Sequence, residues 1–106
     1  MSKYNFPRVV VTGMGAVTAI GNNIEEFWNS LLEGKSGAAP ITRFDATDFK
    51  TKFACEVKNY DPLQHMSHKE TQRMDLFTQL AISTATMAID DAGINTEIID
   101  GNRAGV

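Results

Sequence analysis

Between Leu76 and Ala92, apolar or small residues occupy nearly every face of a helix: Phe77, Leu80, Ala81, Ile82, Ala85, Met87, Ala88 and Ile89 precede Asp90, Asp91 and a terminating Gly93. A helix with no broad polar face needs cover on all sides. Its small residues Ala81, Ser83, Ala85 and Ala88 let neighbouring backbones come close, while Leu76, Phe77 and Leu80 supply bulk at one end. The expected element is a core helix, capped by Asp75.

A second element makes the same demand. Residues 8–12, Arg-Val-Val-Val-Thr, form a β-branched run without polar alternation, the pattern of a strand buried on both faces of a parallel sheet, and the run stops at Gly13. A doubly buried strand and an all-round apolar helix need covering layers on several sides. At 106 residues, 42% hydrophobic and 22% charged, the chain is of ordinary globular composition and can supply one modest core at most. The remaining elements cannot cover both. The chain is therefore expected to be a truncated part of a larger α/β body, with residues 103–106 reading as a strand just beginning.

Asn22 with Glu25 gives a capping-box-like start, and Ile24, Phe27, Trp28, Leu31 and Leu32 then recur with helical period up to Gly34, which predicts an amphipathic helix. Residues 35–40 read as a small-residue loop and 44–49 as irregular. Residues 52–58 alternate, placing Phe53, Cys55 and Val57 on one side, as in a half-buried strand near a sheet edge. Asp61-Pro62 pairs an N-cap with a first-turn proline, and Ser67 with Glu70 forms another capping box, so short helical turns should follow each.

Thirteen acidic against ten basic residues give a net charge of -3, which removes any general attraction to nucleic acid or anionic membrane. One cysteine cannot form an internal disulfide, which fits a cytoplasmic location. Lys3 and Arg8 precede the apolar stretch 9–20 in the manner of a signal peptide, but Gly13 and Gly15 interrupt it and it is too short to span a bilayer.

Few residues offer chemistry. Gly13-Met14-Gly15, after a strand and before a helix, admits a small nucleotide-binding module, yet Thr18 stands where the fingerprint has its third glycine and the helix begins only near residue 22, so a tight structural turn is the plainer expectation. Cys55 on an alternating strand has neither a helix N-terminus nor a histidine to activate it and reads as a small inward-facing core residue. His65 and His68 share a helical face without further ligands and read as surface residues, so no metal is expected, and no cofactor. Lys69 and Arg73, i and i+4 beside His68, make a basic patch in an acidic chain. A solvated face partly paired with Glu70 and a docking site for an acidic partner explain it equally.

Four segments in order carry a resemblance: residues 8–21 (Arg-Val-Val-Val-Thr-Gly-Met-Gly-Ala-Val-Thr-Ala-Ile-Gly), Phe27-Trp28 through Gly34-Lys35-Ser36-Gly37, Arg43-Phe44-Asp45, and residues 69–77. Together they resemble the opening of the β-ketoacyl-acyl carrier protein synthases, type II especially. The resemblance covers nearly the whole chain from Arg8 but only the early part of a family member.

It implies a thiolase-like fold, of which this chain would be an incomplete first half, in a cytoplasmic homodimer of fatty acid biosynthesis. The implied reaction is a decarboxylative Claisen condensation. A cysteine takes the acyl chain as a thioester, and the carbanion left by decarboxylation of malonyl-carrier protein attacks it. A low-pKa thiol, oxyanion-binding amides and two histidines are required. In the family these lie beyond the matched part, so no catalytic residue is expected in this chain, and Cys55 does not match the nucleophile's context. The resemblance carries over only Lys69 and Arg73, which match basic positions facing the acyl carrier protein. Gln72 and His68 stand at two further positions that are basic in the family, which implies a weaker and partly pH-dependent patch. A non-catalytic ketosynthase-like subunit, the chain-length factor, is the alternative.

Overall fold

The first helix, α1, spans Ile24–Leu32 in a computed structural model that describes residues 6–95 and 97–106; Lys3 lies outside the described residues. Its N-cap is Asn23, one residue after the Asn22–Glu25 pairing expected from the sequence. The Asn23 side chain accepts the Glu26 amide at 2.9 Å, and the Glu26 carboxylate accepts the Asn22 amide at 2.8 Å. Asn22 is committed elsewhere, its Nδ2 donating to the Lys58 carbonyl at 2.7 Å, so the adjacent asparagine takes the cap. The helix closes as expected on Gly34, whose left-handed φ of 66° lets the Lys35 amide reach the Ser30 carbonyl at 2.9 Å.

Strand β1, Ala39–Pro40, falls at the end of the expected small-residue loop and pairs antiparallel with β2, Phe53–Ala54, with Ala39 opposite Ala54 and Pro40 opposite Phe53. The strand expected over 52–58 is thus much shorter, and between residues 53 and 56 its faces are inverted, while Val57 is partly covered as expected. Phe53 and Cys55 are exposed, whereas Ala54 and Glu56 are partly covered. The Glu56 carboxylate causes this by turning toward the neighbouring segment, where it accepts the Thr42 hydroxyl at 2.7 Å and the Thr42 and Arg43 amides. Cys55 is therefore not the inward-facing core residue that alternation suggested.

The expected caps at Asp61 and Ser67 are present. Asp61 opens a single 3-10 turn, Pro62–Gln64, that lies against both helices that follow. Helix α2 is His68–Thr71 and helix α3 is Leu76–Ala92, ending on the left-handed Gly93 at the residue expected. Asp75 holds the N-cap position of α3 but makes no side-chain cap bond. A last 3-10 turn, Gly101–Arg103, is followed by 104–106 without a ladder partner, so the strand expected at 103–106 does not form.

Residues 8–12 likewise make no ladder among the described residues, and Val9 and Val11 are 93% and 81% exposed. This corrects the doubly buried strand. A strand exists only through the neighbour it bonds to, and no described strand pairs with this run. What the segment does possess is a close approach to α3. A Cβ on Gly13 would stand 2.2 Å from the Ala88 carbonyl oxygen, and one on Gly15 would stand 2.1 Å from the Thr84 carbonyl oxygen. The Thr84, Ala88, Ala92 row of α3 is thus covered by a glycine-bearing chain, while Phe77, Ala81, Ala85 and Ile89, also spaced by four, remain exposed.

The buried core helix is therefore a helix covered on one side. Among the described residues no apolar side chain is buried; only Ser30 and Ser83 are. The accessible surface is 8957 Å² against roughly 5,800 Å² for a folded monomer of this mass. The radius of gyration of 18.3 Å exceeds the value of about 13 Å for a compact chain of this length. Secondary structure and local caps are in place without a core.

Candidate functional site

The basic patch is built by a turn too short to hold itself. A four-residue helix has a single nucleus of hydrogen bonds and no propagation to stabilise it. Its first turn is fixed by a reciprocal box: the Glu70 amide donates to Ser67 Oγ at 3.4 Å, and the Ser67 amide and hydroxyl donate to Glu70 Oε2 at 2.8 and 2.7 Å. The Ser67 hydroxyl first, and its amide second, hold the Glu70 carboxyl below the usual carboxylate range. Committed this way, Glu70 does not pair with the patch.

Lys69 and Arg73 are both exposed, with Lys69 on α2 and Arg73 one residue past its C-cap, Gln72. Neither makes an ion pair among the described residues, where the one salt bridge joins Lys35 to Glu33 at 2.7 Å. His68 and Gln72 are exposed between and beside them. Two cations thus face solvent from a capped turn in a chain of net charge -3. Such a surface can steer and orient an acidic partner.

At the other end of the turn, Gln79 Nε2 on the first turns of α3 donates to the Thr71 carbonyl at 3.0 Å and to the Met74 carbonyl at 3.1 Å. Nothing in a glutamine at this spacing signals the clamp, because the bond runs backward across a helix junction. Asp91 gives no sign in the sequence beyond that of an end-of-helix acid, yet its Oδ2 accepts the Met14 amide at 2.9 Å. That bond bears on the nucleotide alternative. The backbone of α3 closes against Gly13 and Gly15, and a carboxylate already holds the amide between them, so a pyrophosphate would meet a crowded turn with its central donor taken and an acid beside it.

Cys55 lies on the wall of an open cleft with Ile41, Phe44, Val57 and Leu80, and no imidazole lines it. His65 follows the 3-10 turn and His68 begins α2. The geometry assembles no nucleophile, base and oxyanion hole among the described residues.

Residues 7–106 match the family model for the β-ketoacyl synthase N-terminal domain. The chain belongs to the β-ketoacyl synthase family. It is 42% identical over 106 residues to 3-oxoacyl-[acyl-carrier-protein] synthase 2 of Synechocystis sp., covering 100% of this chain and 26% of that protein. It is 48% identical over 99 residues to the synthase of the same name from Vibrio harveyi, covering 93% and 23%. Among solved structures, the ishigamide ketosynthase/chain length factor is similar with a TM-score of 0.75 and 41% identity, over 83% of this chain and 22% of that one. The chain spans about a quarter of the length of the curated relatives it matches. A β-ketoacyl synthase segment with this architecture is a partial α/β piece with a two-stranded sheet, and among its described residues no helix is long and apolar enough to cross a membrane.

Proposed function

We propose that residues 1–106 are the N-terminal portion of a thiolase-like β-ketoacyl-acyl carrier protein synthase, type II, a homodimeric cytoplasmic acyltransferase of fatty acid elongation. Similarity to the Synechocystis and Vibrio harveyi 3-oxoacyl-[acyl-carrier-protein] synthases supports the activity. The lack of any fully buried apolar side chain among the described residues supports the view that these residues belong to a larger layered body.

In this reading the complete enzyme passes an acyl group from a carrier thioester to a cysteine outside this segment, releasing the carrier thiol. Malonyl-carrier protein then loses carbon dioxide, its carbanion attacks the cysteinyl thioester, and the cysteine leaves as thiolate. This segment contributes no reacting group. Its part is to receive the acyl carrier protein at Lys69 and Arg73. The observation that carries the docking role is that both cations are exposed without an ion pair among the described residues, while Glu70, the acid next to Lys69, is consumed by Ser67.

The complete protein, incubated with an acyl thioester and malonyl-carrier protein, should release carbon dioxide and form β-ketoacyl-carrier protein. The likeness to the ishigamide ketosynthase/chain length factor supports a second reading, a non-catalytic subunit. In that case neither product forms, and the residue at the nucleophile position is not cysteine.

A further inference from the structure

The basic patch straddles a break in the chain. Lys69 belongs to α2, whereas Arg73 follows its C-cap and precedes α3, so their separation depends on how the two helices are joined. The ordinary end-of-helix bonds are few: the Gln72 amide donates to the His68 carbonyl at 3.3 Å, the Arg73 amide to the Glu70 carbonyl at 3.0 Å, and the Thr71 hydroxyl to the His68 carbonyl at 2.7 Å. The Thr71 carbonyl and the Met74 carbonyl, which bracket Gln72 and Arg73, are both held by the Gln79 amide group. One side chain on the longest helix thereby fixes both ends of the three-residue link that carries Arg73. Asp75 makes no side-chain cap bond that could share the task.

We propose that Gln79 is a positioning residue for carrier-protein docking: through the Thr71 and Met74 carbonyls it sets the geometry of Lys69 relative to Arg73. This rests on the docking role proposed above. A partner with fixed acidic groups gains from two cations held at one spacing, because ordering them beforehand removes that cost from binding. Without the clamp the Arg73 link is free to rearrange, and the two charges still attract but no longer in register.

The test uses the complete synthase. Gln79→Met keeps the side-chain length and removes both donors; Gln79→Asn, one methylene shorter, cannot span the two carbonyls and serves if the first variant is insoluble. KM for the carrier-bound substrate should rise about fivefold, with kcat and the turnover of a free acyl thioester changed by less than about twofold. In a Lys69→Ala/Arg73→Ala background the same substitution should add little, because the groups it positions are gone. An unchanged carrier KM, an equal loss with both substrates, or a full additive effect in that background overturns the inference and leaves the docking reading standing. If Lys69→Ala/Arg73→Ala itself leaves carrier KM unchanged, the docking reading fails and the inference fails with it.

Discussion

The Tyr60 and Ser83 hydroxyls lie 2.8 Å apart, and Ser83 has no solvent-exposed surface. The pair ties the segment between β2 and the 3-10 turn to the middle of α3, across a sequence separation of 23 residues. A serine at this position lets the phenol approach the helix, where a larger side chain would push it away. Tyr60→Phe in the complete protein should cost about 1–2 kcal/mol, since it leaves a fully buried hydroxyl without this partner. Tyr60→Phe/Ser83→Ala should cost less than the two single changes added together. Urea unfolding midpoints of the four proteins check both expectations.

Gly15 is in place because α3 leaves no room for anything else. A Cβ 2.1 Å from the Thr84 carbonyl oxygen and 2.9 Å from Met87 Cβ must displace either the helix or the segment that carries Asp91's partner, Met14. Gly15→Ala should therefore destabilise by about 2–4 kcal/mol. Gly101→Ala, with no atom within 4 Å of the added carbon, should stay within about 0.5 kcal/mol of the parent. Comparable melting temperatures for the two variants would contradict the close packing.

Residues 1–106 expressed alone should not unfold cooperatively. Cooperativity comes from a shared core, and Val9, Val11, Trp28, Leu32 and Phe77 are all exposed here, with no apolar side chain buried among the described residues. Strong binding of a hydrophobic dye and the lack of a sharp calorimetric transition are expected. A single sharp melt of a monodisperse species would show that these surfaces find partners within the chain.

What is legible in the sequence is local. Ser67 and Glu70, Asp61 and Pro62, Gly34 and Gly93 each act within a few residues, so their roles follow from spacing, and α3 begins and ends where its pattern does. Ladders and burial are non-local. The Val9, Val10, Val11 run has the composition of a buried strand, but its pairing depends on a neighbour that composition does not reveal. Alternation misplaces the covered face of residues 53–56 for a related reason. It weighs side-chain polarity, whereas the three donors of Thr42 and Arg43 recruit Glu56 and so decide which side is covered. At the patch, Lys69 and Arg73 are visible as charges, but the Gln79 clamp is not.

Glu70 should titrate below ordinary glutamates because hydrogen bonds from Ser67 favour its charged form. A depressed folded-state value means the box contributes above the unfolded-state value and is lost as pH falls through the folded one. A carboxyl NMR titration of the complete protein should place Glu70 low, and Ser67→Ala should move it back toward the usual value. Glu70→Gln should remove this acid-side loss of order in α2, read as faster exchange of the Ser67 and Glu70 amides. An unshifted Glu70 would mean the box is not populated in solution.

Lys69→Glu with Arg73→Glu in the complete synthase reverses two exposed charges without touching the cap, since the carboxylate of Glu70 and the hydroxyl of Ser67 bond each other. With the carrier docking at this patch as proposed, charge steers the encounter, so kcat/KM for carrier-bound substrates should fall by about tenfold or more at low salt, and the gap from the parent should narrow as salt rises. A small acyl thioester has no acidic surface to be steered, so its rate should change far less. Equal losses with both substrates would locate the damage in folding instead. A loss that ignores ionic strength would mean these cations act by contact and not by field, because exposed charges more than a Debye length apart are screened first.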